Sequence, residues 1–166
     1  MLMKVFPYGI GEGDKPSRYL VRPDYPGRDT APPQVLRGDP AMTRALIDSI
    51  ERRWKFTSGV LSWHPDDKVS EEQEEEVMDA FERVAFAGLE ADQRNILWVR
   101  HTHAGHHELH FLIPRLELSS GKDFNACPPG WQKDFDVFRD LFNWREGWAR
   151  PDDPARARDE LPKKAD

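Results

Sequence analysis

Two extended runs flank a histidine-rich turn, and the hairpin they make dictates what the rest of the chain must build around. Ile96-Leu-Trp-Val-Arg100 is β-branched and aromatic, Leu109-His-Phe-Leu-Ile113 reads as a second strand ending at Pro114, and five of the six histidines lie between 101 and 110. Ala104-Gly105 between the runs supplies a two-residue hairpin loop. Antiparallel pairing through that loop joins residues whose numbers sum to 209, setting His103 opposite His106, His101 opposite Glu108 and Val99 opposite His110. Side chains alternate with period two, so His101, His103, His106, Glu108 and His110 share one face. Trp98, His107, Leu109, Phe111 and Ile113 then point toward a core on the other.

Opposed residues hold their Cβ atoms roughly 4.5–5.5 Å apart and diagonal ones about 7–8 Å, close enough for two imidazoles and a carboxylate to converge on one ion. Two histidines with one carboxylate suit a divalent transition metal and leave coordination positions open for a substrate. A closed structural zinc site would draw on thiolates, and the chain has one cysteine, Cys127. His101, Glu108 and His110 are therefore the candidate ligands, with His103 and His106 as an additional ligand or a proton relay. The alternative is a noncatalytic metal-binding or DNA-binding module in which the histidines merely fold the hairpin.

At 166 residues and 38% hydrophobic composition, the chain fits a single domain. No apolar run approaches the roughly 20 residues that cross a bilayer, and Met1-Leu-Met-Lys-Val-Phe-Pro7 has no signal-peptide core, so a cytoplasmic protein without membrane insertion is expected. One cysteine allows no intrachain disulfide, as suits a reducing compartment. The net charge of −6 opposes a polyanionic partner at first sight. Its distribution reverses that: residues 1–55 hold ten basic and seven acidic side chains, residues 66–92 two and eleven, and residues 93–166 twelve of each. One acidic helix makes the deficit, and a basic groove elsewhere remains available.

Along the chain, Lys4-Val-Phe-Pro7 reads as a short strand, a glycine-rich stretch follows, and a short helix starts at Pro16 with Tyr19 near its middle. Residues 22–38, with four prolines and two glycines, read as a loop. Asp39-Pro40 caps a helix running to about Arg53. Phe56 to Trp63 is a strand, Ser70-Glu-Glu-Gln73 is a capping box opening an acidic helix that stops at Gly88, and its charge run reads as a solvated face. Leu116 to Lys122 reads as a strand end and turn. Phe135, Phe138, Leu141, Phe142 and Trp148 form a helical core stripe between Trp131 and Trp148. The sum is an α+β fold, a central antiparallel sheet with helices packed on it, the hairpin in its middle and one face open for chemistry. The domain is expected to span 1–148, with 149–166 a proline-rich, charged and frayed tail that begins a linker to a further C-terminal region.

A metal that polarises a phosphoryl oxygen needs a nucleophile to cut a phosphodiester, and tyrosine is one that forms a covalent intermediate. Of Tyr8, Tyr19 and Tyr25, Tyr19 is flanked by Arg18 and Arg22, cations placed to hold phosphates and favour a phenolate.

The succession Arg18-Tyr-Leu20, Val35-Leu-Arg-Gly-Asp39, Thr57-Ser-Gly-Val-Leu-Ser-Trp63, Ile96-Leu-Trp-Val-Arg-His101 and Glu108-Leu-His-Phe-Leu-Ile-Pro114 resembles the relaxase domain of plasmid mobilisation proteins, the MOBP class of colicin-type plasmids above all. These are His-hydrophobe-His (HUH) endonucleases. The resemblance implies a metal triad at His101, Glu108 and His110, with His110 where the colicin-type branch has asparagine in a His-Glu-Asn signature. It implies Tyr19 as nucleophile and Ser62 as a contact to DNA near the scissile phosphate. Arg18, Arg22, Arg37 and Lys122 are further candidate phosphate contacts by position and charge. The resemblance also implies one Mn²⁺ or Mg²⁺, with Zn²⁺, Ni²⁺ or Co²⁺ as other divalent ions the site would accept, and strand-specific nicking and rejoining at a plasmid origin of transfer through a 5′-phosphotyrosyl intermediate. Single-stranded origin DNA, accessory mobilisation proteins and a coupling protein are the implied partners, in the bacterial cytoplasm. A rolling-circle replication initiator or transposase of the same superfamily would use identical chemistry.

Overall fold

The computed structural model describes residues 1–152. Its elements in chain order are β1 (Leu2–Val5), α1 (Asp14–Val21), β2 (Gln34–Arg37), α2 (Pro40–Asp48), β3 (Phe56–Ser62), α3 (Glu71–Ala85), β4 (Leu97–His101), β5 (Glu108–Pro114) and α4 (Gln132–Glu146). The strands make one antiparallel sheet in the order β1-β3-β5-β4-β2, so β5 is central, and the expected α+β architecture is what forms.

Each face of the sheet carries a pair of helices. The odd-numbered side chains of β5, Leu109, Phe111 and Ile113, join Trp98, the α3 residues Val77, Met78 and Phe81, and the α4 residues Phe135, Phe138 and Phe142 in a core of nineteen buried side chains. Phe81 is its hub, with its ring 4.6 Å from Phe111, 4.9 Å from Trp98 and 5.1 Å from Phe135, the separations at which aromatic pairs attract. On the opposite face a smaller core of six, Leu20, Ile47, Phe56, Leu97, Val99 and Leu112, seats α1 and α2. The sequence predicts an open ligand face, but that face is covered along part of its length. Two apolar positions, Leu20 and Ile47, close part of it.

Helix starts follow local chemistry. Asp39 accepts the Ala41 N–H with Pro40 at the first helical position, and Ser70 and Gln73 complete the capping box. Helix α2 stops at Asp48, short of Arg53, and α3 at Ala85. In the stretch expected to be all loop, Gln34-Val-Leu-Arg37 forms an edge strand instead. Pro32-Pro33 ahead of it lack N–H groups, which an edge position tolerates. Leu141 is exposed rather than part of the core stripe of α4. Ala149, the expected first residue of a frayed tail, is docked: its N–H donates to Asp67 Oδ2 at 2.9 Å and its carbonyl accepts from the Met1 amino group at 2.7 Å. The remainder of that tail, from 153 on, lies outside the described residues.

Candidate active site

The expected register of the hairpin holds, with His101 opposite Glu108, Val99 opposite His110 and Leu97 opposite Leu112. The loop does not. Pairing stops at His101 and Glu108, and residues 102–107 form a wider connection in which the Gly105 N–H donates to the Thr102 carbonyl at 3.2 Å. Gly105 takes φ +83°, a left-handed geometry that glycine adopts freely. His103 and His106 are therefore not cross-strand partners. His107 points to the core side as expected, its Nε2 2.7 Å from Glu74 Oε2 and its ring 5.4 Å from Trp63.

Ligand atoms of His101, Glu108 and His110 all lie within 4.8 Å of one another. Each comes from the end of a central strand, where neighbouring backbones fix its position. His110 Nε2 is 3.0 Å from Glu108 Oε1 and His106 Nε2 is 2.9 Å from Glu108 Oε2, so the carboxylate joins two imidazoles. On the far side, His101 Nε2 meets the Leu20 carbonyl at 2.7 Å, while its buried Nδ1 has no hydrogen-bond partner among the described residues. Since a carbonyl only accepts, Nε2 carries the proton and Nδ1 presents a lone pair, the arrangement expected of a metal-ligating histidine steadied by an outer hydrogen bond. Two imidazoles and a carboxylate with one orphaned nitrogen fit a divalent ion.

Burial drives the His101 imidazole down to about 4, with His110 beside it adding to the effect. Burial also pushes the Glu108 carboxyl up, but the hydrogen bonds and charges of His110 and His106 outweigh it and hold the group at about 2. His101 is thus a neutral imidazole and Glu108 a carboxylate at neutral pH, the protonation states in which each binds a metal.

Tyr19, near the end of α1, sets its ring 6.4 Å from that of His101 and 5.6 Å from that of Tyr25, both edge-on. The cations expected to favour its phenolate are engaged elsewhere: Arg18 pairs with Asp14 and Arg22 with Asp24. Burial raises the Tyr19 phenol above its ordinary value, with Tyr25 adding and Arg28 opposing. Arg28 is the residue that reading the sequence missed. Its guanidinium is fully buried, lies 4.9 Å from the Tyr19 ring and 4.7 Å from the Tyr25 ring, and donates from Nη1 to the carbonyls of Tyr19 and Arg22. No sequence pattern marks it, because its partners Tyr19, Arg22 and Tyr25 gather around it only through the fold of the irregular segment that follows α1.

Ser62 pairs with Glu108 across β3 and β5 and so shares the face of the triad. Arg37 does not. A bulge between Val35 and Arg37 shifts the register so that Arg37 pairs with Trp98 and turns to the core side, where it bonds Glu75, Asp79 and Glu82 of α3. Glu74 of the same helix is buried against Arg100 and His107, so the acidic run is only partly a solvated face. Lys122 sits beyond the Pro114 end of β5, about 20 Å along the strand from Glu108.

The profile of the relaxase family described as MobA/VirD2-like, nuclease domain, matches residues 41–143. This chain belongs to that family. The relaxase domain is accordingly a DNA-nicking enzyme, and Tyr19 lies ahead of the matched span. The chain is 41% identical over 159 residues to cryptic plasmid protein C of Neisseria gonorrhoeae, covering 94% of this chain and 75% of that protein. It is 36% identical over 159 residues to the DNA relaxase MbeA of Escherichia coli, covering 95% of this chain and 30% of that protein. No solved structure matches. Among the described residues no helix is long and apolar enough to cross a membrane.

Proposed function

We propose that this relaxase domain nicks and rejoins one DNA strand at a plasmid origin of transfer by transesterification, with Tyr19 as nucleophile and His101, Glu108 and His110 holding one divalent ion, Mn²⁺ or Mg²⁺. The observation that carries the reading is the convergence of those three side chains beside the Tyr19 ring. A divalent ion held there supplies positive charge to the nonbridging oxygens of the scissile phosphate, where negative charge grows in the transition state.

The residues of the chain do the rest. The Tyr19 oxygen attacks phosphorus, the bond from phosphorus to the 3′ oxygen breaks, and the products are a 5′-phosphotyrosyl linkage and a 3′-hydroxyl that takes up a proton from solvent. The phenol proton leaves by way of Tyr25 toward His103, whose ring lies 5.6 Å from that of Tyr25 and whose buried Nδ1 has no partner among the described residues. Arg28 holds the Tyr19 carbonyl and underlies both phenol rings, keeping the nucleophile in place. Ser62 is read as a contact to the strand at the site, and so are Arg18 and Arg22 after release from Asp14 and Asp24. The linkage conserves the energy of the phosphodiester, so the reverse attack by the 3′-hydroxyl reseals the strand. Accessory mobilisation proteins and a coupling protein are the partners this role requires, and the bacterial cytoplasm is its setting.

Incubation with Mn²⁺ and supercoiled plasmid bearing an origin of transfer tests the reading. Wild type is expected to give a nicked product carrying covalently bound protein, and Tyr19→Phe none. Nicking by Tyr19→Phe overturns the proposal, because water would then be the nucleophile.

A further inference from the structure

On the ligand-bearing face, α1 and α2 seat on β4, β5 and Phe56 of β3, while the edge strand β1 keeps Lys4 exposed. Register places Leu2 beside Ser62 and Lys4 beside Val60, and the Phe6 N–H continues the ladder to the Ser58 carbonyl at 2.9 Å. Alternation therefore sets Leu2, Lys4 and Phe6 on the same face as Ser62, Glu108 and His110. Beyond Phe6, at the far end of β3 and roughly 20 Å from the triad, a cleft of about 530 Å³ opens at the strand ends; Phe6, Tyr8 and Trp54 wall it, and Val5, Cys127 and Trp131 close it from the α4 side.

The cleft concentrates exposed rings. Tyr8 is 74% exposed, Trp54 43% and Phe6 40%. They are firmly mounted: the Gly9 carbonyl accepts the N–H groups of Lys55 at 2.6 Å and Phe56 at 3.2 Å, and a Cβ on Gly9 would stand 2.2 Å from the Phe56 carbonyl oxygen. Charge here opposes that of the whole chain. Arg53, which pairs with no carboxylate among the described residues, lies 5.8 Å from the Trp54 ring, and Lys4 and Lys55 stand beside the ring-bearing segments, whereas Arg115 in the wall is held by Asp123. The acidic helix α3 directs Glu75, Asp79 and Glu82 to Arg37 of β2, the strand at the opposite edge of the sheet. Fixed aromatic rings interleaved with cations are what a flexible polyanion with stacking bases requires, whereas an apolar protein partner would have no use for the cations.

We infer that the margin from Lys4 and Phe6 to Tyr8 and Trp54 is a subsite for unpaired bases of single-stranded DNA, several nucleotides from the scissile phosphate. This rests on the proposed nicking function and assigns the path of the bound strand away from it. Stacking on Tyr8 and Trp54 is sequence-tolerant, so the subsite contributes affinity rather than choice of nick position.

Anisotropy of fluorescein-labelled dT20 with the full chain tests it. The Tyr8→Ala, Trp54→Ala double variant is expected to bind at least about tenfold more weakly than wild type. Trp54→Phe should retain most affinity, and Arg53→Gln should flatten the salt dependence by about one counterion. A double variant that keeps its unfolding midpoint and binds dT20 as tightly as wild type overturns the subsite. So does a wild-type dimer in sedimentation that the double variant abolishes, since the patch would then hold a second copy. Tyr19-dependent nicking of origin DNA with either result would leave the nicking reading intact. A wild type that neither nicks nor binds dT20 fails both.

Discussion

His101 and Leu20 are joined by a 2.7 Å contact from imidazole Nε2 to backbone carbonyl, so a candidate metal ligand is oriented by the residue that follows the candidate nucleophile. Metal site and nucleophile therefore share one mechanical link. Leu20 is 6% exposed and anchors α1 in the smaller core. Leu20→Ala should loosen that link without altering any ligand. Calorimetric titration with Mn²⁺ is expected to show about tenfold weaker binding, beside a stability loss of about 2 kcal/mol. Unchanged affinity would mean that the carbonyl does not orient His101.

Acid should weaken the metal-free fold in a defined window. His101 falls from an ordinary 6.5 to about 4 in the folded protein, so between those values the unfolded chain binds the extra proton and the native one does not. Stability is complete above pH 6.5 and declines as pH falls toward 4, by up to about 3 kcal/mol. Glu108, depressed from 4.5 to about 2, adds a further loss below that window. Urea unfolding in EDTA at pH 7.5 and 4.5 measures the first effect, and His101→Gln should reduce it.

Gly59→Ala is expected to destabilise by about 2–3 kcal/mol. An added Cβ would meet the Lys4 carbonyl oxygen at 2.3 Å and the Phe111 ring at 2.4 Å, and neither the β1 backbone nor a fully buried ring can retreat. Thermal unfolding should register a drop of several degrees. A neutral result would imply that β1 shifts freely on β3.

Arg28→Met separates positioning from stability. Removal of a buried cation that forms no ion pair among the described residues offsets the loss of its bonds to the Tyr19 and Arg22 carbonyls, so the unfolding midpoint should move little. Nicking at saturating DNA should nonetheless slow about tenfold or more, since the Tyr19 ring loses the group beneath it. Arg28→Lys, which lacks the planar fork, should restore only part of the rate.

What could be read from sequence is what depends on period and local chemistry. Alternation through Trp98, Leu109, Phe111 and Ile113 named the core face, and the pairing sum placed His101 opposite Glu108 although the loop between them is wider than two residues. Register survived because both strands are buried on both faces, where a slip of one residue would invert every side chain. The failures involve contacts that no regular period encodes. Arg37 looked like a free cation until a bulge turned it toward three carboxylates of α3, and Arg28, in a proline-rich segment, acquires its role only where α1 meets the hairpin. Strand β2 was hidden by its prolines and is held by one neighbour alone.

The unequal cores have a consequence for how a strand enters. Six buried side chains seat the layer that bears Tyr19, while nineteen close the opposite side. With fewer buried side chains to hold it, the thin layer is expected to open at lower cost than the thick one, which hydrogen exchange of α1 and α2 against α3 and α4 would read. Substrate admission then needs no unfolding of the scaffold that aligns the three ligand groups.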